Sequence, residues 1–176
     1  MIIKPDNEML SYSGRIDFDD RLAPVLVYAC SSIGMKFTGT SLKAVIANHR
    51  SCWTNELGYF IDGEQKRFTL SSDEEKKTYT LAEGLSEGTH ELLLFKRMDS
   101  CHTFTFYGFE IDDGAEVLPL PEKPKRKMEF FGDSVSCGEV SEAVAYVGKP
   151  DPEHDGEYSN SWYSYAWMTA WKLNAQ

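Results

Sequence analysis

YFIDGEQKRFTL, residues 59–70, is the stretch on which the reading of the fold turns. Tyr59-Phe60-Ile61 and Phe68-Thr69-Leu70 are runs of strand formers. Asp62-Gly63 between them is the strongest hairpin signal in the chain, because Asp-Gly accepts the positive φ of a tight turn. The same grammar extends outward over residues 25–111. An apolar run at 25–28 follows Pro24; Met35 and Phe37 alternate with Lys36 and Thr38; Leu42, Ala44 and Ile46 alternate with Lys43 and Val45. Further strands are expected at 78–81, 91–96 and 103–111, with Glu83-Gly84, Glu87-Gly88 and Asp113-Gly114 as punctuation. In the last of these Phe104 and Phe106 have one parity and Phe109 and Ile111 the other, so a β-bulge is expected at Gly108. Short strands at this spacing, without long amphipathic helices, predict an all-β sandwich or jelly roll, with the domain taken as residues 11–118.

Three of the seven prolines then fall within VLPLPEKPKRK, residues 117–127. Proline denies a sheet its ladder donors, and the basic cluster favours solvent, so residues 119–127 are expected to be a linker. Beyond it the grammar changes. Residues 128–131 read as a short apolar strand running into Gly132-Asp133-Ser134, and a polar, proline-containing loop continues to Asn160. Residues 161–174 read as a helix capped by Ser159 or Asn160, with Tyr163, Ala166, Trp167, Ala170 and Trp171 at helical spacing. With Trp162 and Leu173 added, the apolar arc is wider than one neighbouring strand could bury.

The 176 residues carry a formal net charge of -10, with acidic residues in excess on both sides of Lys125, so nucleic acid and anionic membrane surfaces are poor partners. A content of 41% hydrophobic and 26% charged residues is that of a packed globular chain rather than a disordered one. The first residues contain no apolar run of signal-peptide length. As written the protein is expected in the cytoplasm, or outside the cell if a leader has been removed. Cys30, Cys52, Cys101 and Cys137 form no CxxC pair, so buried free thiols are expected rather than a zinc site or a disulfide framework.

The chemistry is expected at Ser134. A serine hydroxyl needs a base to become a nucleophile, and acyl transfer needs donors for the oxyanion. Gly132 permits a tight turn after the strand, Asp133 is a turn former, and Ser134 stands at the strand's carboxyl end with its own amide able to face the site.

KMEFFGDSVSCGE (127–139), followed by NSWYSYAWMTAWKLNA (160–175), resembles the opening block of the SGNH or GDSL hydrolases, and more narrowly carbohydrate esterase family 2. Tyr12-Ser13-Gly14-Arg15-Ile16-Asp17-Phe18, the segments 36–41 and 48–53, Phe95-Lys96-Arg97 and the segment 101–109 are similar to that family's jelly-roll domain. The resemblance implies a jelly roll followed by the first strand and helix of an α/β SGNH hydrolase domain at 128–176. It implies deacetylation of acetylated plant polysaccharides or oligosaccharides without metal or other cofactor. Ser134 would be the nucleophile and its amide one oxyanion donor. The family's histidine base and its other oxyanion donors lie in later blocks that these residues do not include. The chain would then be a truncated, inactive piece of such an enzyme, its helix packed on the missing remainder or on another copy. A carbohydrate-binding or scaffolding jelly roll without catalysis is the alternative.

Other residues invite a role. Asp151-Pro152-Glu153-His154 spells the family's acid and base pattern, but far too early in the chain. Asp151, Glu153, Asp155 and Gly156 match the first positions of a calcium loop, yet Trp162 stands where a bidentate Glu is required. His49, His90 and His102 read as structural. Trp53, Tyr59 and Tyr107 read either as a sugar-stacking platform or as core aromatics, and His49 with Arg50 as a polar edge beside Trp53.

Overall fold

The computed structural model describes residues 1–176. Twelve strands are formed: β1 (Ile2–Ile3), β2 (Ser11–Ser13), β3 (Ile16–Asp17), β4 (Val25–Leu26), β5 (Ser32–Thr38), β6 (Leu42–Arg50), β7 (Glu56–Ile61), β8 (Glu64–Thr69), β9 (Lys77–Ala82), β10 (Thr89–Lys96), β11 (His102–Ile111) and β12 (Val117–Leu118). They build two antiparallel sheets. One runs β3-β4-β11-β6-β9 with β1 beside β11, and the other runs β12-β5-β10-β7-β8 with β2 beside β5. This is the expected sandwich, and it recruits Ile2–Ile3, N-terminal to the segment foreseen.

Alternation drives the two inner faces together. Leu42, Ala44 and Ile46 on β6 and Leu57, Tyr59 and Ile61 on β7 all join one core with Leu92 and Leu94 of β10. Ile61 pairs directly with Glu64 across the turn at Asp62 and Gly63, both of which have positive φ. The register of β11 against β6 slips between Phe106 and Gly108. Because the bulge absorbs one residue, Phe104, Phe106, Phe109 and Ile111 all reach the same core despite their mixed parity. Gly108 sits at φ 129, and a β-carbon there would fall 2.4 Å from the Ile3 carbonyl oxygen.

The proline-rich segment leaves the sandwich gradually. β12 pairs with β5, and the Lys123 ammonium donates to the Tyr12 carbonyl. Residues 128–131 do not form the expected strand. A strand exists only against a partner edge, and the only pairing nearby is a parallel bridge of Arg126 with Ala175. The expected single helix is broken into a 3-10 turn (Ser161–Tyr163) and a helix, α1 (Tyr165–Lys172). Ser164 makes the break: its backbone is extended (φ -67, ψ 149), and its hydroxyl accepts from the Trp167 amide, restarting the helix with a new cap. Asn160 caps the first turn through the Trp162 amide.

Candidate functional site

The outer face of the second sheet forms a seat for the C-terminal segment. Phe60 on β7 and Phe95 on β10 point away from the core, and Trp162 packs on both, with ring centroids 4.6 and 5.1 Å away. Trp167 packs behind Trp162 at 4.7 Å with its ring tilted by 43°. Such aromatic contacts contribute about 0.5–1.5 kcal/mol each beyond the area they bury. Polar groups complete the joint. Ser161 donates its amide to the Arg97 carbonyl (2.9 Å) and its hydroxyl to the Lys96 carbonyl (2.7 Å). Arg67 donates to the Glu157 carbonyl at 2.8 Å, and Tyr163 to Gln65 at 2.7 Å.

Ser134 lies in a compact loop held by its own backbone. The Cys137 amide donates to the Asp133 carbonyl, Gly138 to Val135, and Glu139 to Ser134, at 3.1–3.2 Å. Asp133 accepts from the Val135 amide through its carboxylate at 3.1 Å, a turn-building role. Gly132 is pressed against Ser136, where a β-carbon would meet the hydroxyl at 2.0 Å, and that hydroxyl in turn bonds the Tyr165 phenol of α1 at 2.8 Å. Ser134 is half-exposed, and neither its hydroxyl nor its amide takes part in these bonds.

Each histidine is engaged elsewhere. His49 Nε2 is 3.0 Å from the Thr105 hydroxyl, His90 bridges Asp62 and the Ser86 carbonyl, and His102 bridges Asp99 and the Cys52 carbonyl. His154 packs on Trp53 at 4.6 Å, accepts from the Gly156 amide at 3.1 Å and faces Glu139 at 3.9 Å. Trp53, at φ 43, is wedged between His102 and His154, with Arg50 donating to its carbonyl at 2.6 Å. The proposed sugar platform is not assembled. Tyr59 lies in the core with its hydroxyl on the Leu81 carbonyl (2.9 Å), while Tyr107 lies under the Lys76 ammonium. In the acidic loop Asp155 is spent on the joint, its carboxylate accepting from the Thr54 hydroxyl and its carbonyl from the Thr54 amide.

All four cysteines are free, but they are not the buried thiols expected: Cys52 and Cys101, which flank the end of β6 and the start of β11, are exposed, and Cys30 and Cys137 are only partly buried. Burial pushes the Cys30 thiol up to about 12, against a lowering contact from Ser161. The same desolvation brings the Lys96 ammonium down to about 7, although it donates to the Met98 and Asp99 carbonyls.

What the residues alone did not disclose is the joint itself: Gly58, Phe60, Phe95, Arg97, Glu142, Asn160 and Ser161. The available signal was Phe95-Lys96-Arg97, where two charged residues continue an apolar strand and are both wholly buried. Charged residues are rarely buried unless partners are supplied from elsewhere.

Fold and site together define a two-sheet β-sandwich module with a serine-bearing segment docked on its outer face. The chain belongs to the carbohydrate esterase 2 family, whose N-terminal domain pattern matches residues 12–121. It is 33% identical over 171 residues to the cellulase/esterase CelE of Acetivibrio thermocellus, covering 97% of this chain and 20% of that protein. It is 27% identical over 153 residues to an acetylxylan esterase / glucomannan deacetylase of Cellvibrio japonicus, covering 83% of this chain and 41% of that protein. The chain thus spans less than half the length of either relative. Among solved structures, a family two carbohydrate esterase from Clostridium thermocellum in complex with cellohexaose superposes with a TM-score of 0.83 at 30% identity. That match covers 95% of this chain and 49% of the other. No helix is long and apolar enough to cross a membrane.

Proposed function

We propose that these residues form the N-terminal sandwich and the nucleophile-bearing opening of a serine-dependent carbohydrate O-deacetylase acting on acetylated plant polysaccharides or their oligosaccharides. In this reading residues 11–118 are the jelly roll, 119–127 the connection and 128–176 the first part of the hydrolase domain. Ser134 attacks the acetyl carbonyl, its amide donates to the oxyanion, and Asp133 shapes the turn. The base and the remaining oxyanion donors come from outside these residues, since His49, His90, His102 and His154 are each committed elsewhere. No metal or other cofactor takes part.

The observation that carries the proposal is Ser134 itself: a half-exposed serine whose hydroxyl and amide are both left free in a loop held by the amides of Val135, Cys137, Gly138 and Glu139 and by the Ser136 hydroxyl. Similarity to named carbohydrate esterases supports the substrate class. In the longer enzyme, Ser134→Ala is expected to lower hydrolysis of an acetyl ester and of acetylated xylo-oligosaccharide by about 10³-fold or more without unfolding the protein. Residues 1–176 alone are expected to give no turnover above background. Near-normal rates in Ser134→Ala would remove the serine from the chemistry and leave a carbohydrate-binding sandwich as the better reading.

A further inference from the structure

Arg97 immediately follows β10 and is only 2% exposed, so its charge must be met inside the protein. Its Nη2 donates to Glu142 Oε2 at 2.7 Å, while its Nε faces Glu56 Oε2 at 3.8 Å without a direct hydrogen bond. The other Glu142 oxygen accepts from Asn160 Nδ2 at 2.7 Å. Asn160 is wholly buried, and its amide donates to the Gly138 carbonyl at 3.0 Å. Gly138 closes the Ser134 loop through Val135 and lies at φ 77, pressed so tightly on Asn160 that a β-carbon would fall 2.6 Å from its carbonyl oxygen. An unbroken series of contacts therefore runs from the sandwich through Arg97, Glu142, Asn160 and Gly138 into the loop that carries the serine.

We infer that Arg97 is a positioning residue for Ser134: the jelly roll sets the orientation of the nucleophile through the Arg97–Glu142–Asn160 linkage. The inference rests on the assignment of Ser134 proposed above. Its physical basis is that a reacting group must be held within about 0.5 Å of its productive place, and a displacement of about 1 Å can cost 10²-fold in rate. Polar groups with fixed donor and acceptor directions specify such a placement, whereas apolar packing of equal volume supplies stability without that direction. The sandwich is, on this view, part of the catalytic apparatus although it holds none of the reacting atoms.

The test uses the longer enzyme with an acetyl ester substrate. Arg97→Met and Glu142→Gln are expected to lower kcat by about 10- to 100-fold with KM within about twofold, and to speed hydrogen exchange at amides 133–139. The double variant Arg97→Met/Glu142→Gln, which leaves no unpaired charge at this contact and keeps an acceptor for Asn160 Nδ2, is expected to regain the wild-type melting temperature but not kcat. Recovery of both would make Arg97 a merely structural residue and overturn the inference. If Arg97→Met fails to fold, Glu142→Gln, nearly isosteric and at a partly exposed carboxylate, carries the same comparison. Ser134→Ala measured alongside separates the two readings. Retained turnover there overturns the serine assignment and this inference with it. Lost turnover there, with wild-type kcat in Arg97→Met and Glu142→Gln, overturns the inference alone.

Discussion

The ring of Phe95 lies directly against Gly58, its partner across the β10–β7 ladder: a β-carbon at position 58 would fall 2.1 Å from Phe95 Cζ. With no side chain at 58, the ring settles onto the sheet and, with Phe60, presents the surface on which Trp162 rests. Sequence, packing and docking meet at this glycine, which needs no positive φ and is required only for space.

Gly58→Ala is therefore expected to lift Phe95 from the sheet and loosen the C-terminal segment. Overpacking of this kind costs about 1–3 kcal/mol. Thermal melting followed by tryptophan fluorescence should show a lower midpoint and a red-shifted native emission as Trp162 and Trp167 become wetter. An unchanged midpoint and spectrum would mean that the seat tolerates the methyl group and does not depend on Gly58.

A pH dependence is expected from the hairpin turn. His90 is buried with Nδ1 2.6 Å from Asp62 Oδ2 and Nε2 2.9 Å from the Ser86 carbonyl. The Asp62 hydrogen bond raises the His90 pKa above its ordinary value of 6.5. For Asp62, burial pushes the carboxyl up, but hydrogen bonds from His90 and the Glu91 amide outweigh it and hold it below the ordinary 3.8. The histidine's contribution is complete below about pH 6.5 and is lost as pH rises through the higher folded value. The carboxylate's contribution is present above about pH 4 and is lost as pH falls through the lower folded value. The melting difference between wild type and His90→Gln should thus be largest near pH 5 and shrink by about pH 9. A difference that stays flat over this range would exclude the pair as its source.

Self-association is expected of residues 1–176 in isolation. Trp171 is 70% and Phe131 82% exposed, and Met168 and Leu173 are exposed near the same end. Large apolar side chains left in water forfeit about 1.5–3 kcal/mol each. Light scattering should show an average mass that rises with concentration, and Trp171→Glu should reduce that rise. A strictly monomeric wild-type chain at high micromolar concentration would show that this face needs no cover.

The hairpin at Asp62-Gly63, the alternating core positions and the bulge at Gly108 were legible because each depends on neighbours a few residues away. A turn residue either accepts positive φ or does not, and alternation assigns each side chain its face before any partner strand is known. The turn at Asp133 was legible for a related reason, since its carboxylate and carbonyl bond amides only two and four residues on. The sequence by itself therefore determined a two-sheet sandwich followed by a segment of different character. Tertiary structure alone decided that residues 128–131 find no partner strand and that Ser164 divides the helix. It also decided that Trp53 packs with His154, and that Arg97 meets Glu142 across 45 residues of chain. The physical reason is that a ladder, a buried charge pair or an aromatic seat has no local code. Each exists only where folding brings a second surface to the first, and removing water from both is costly for any polar group left without a partner.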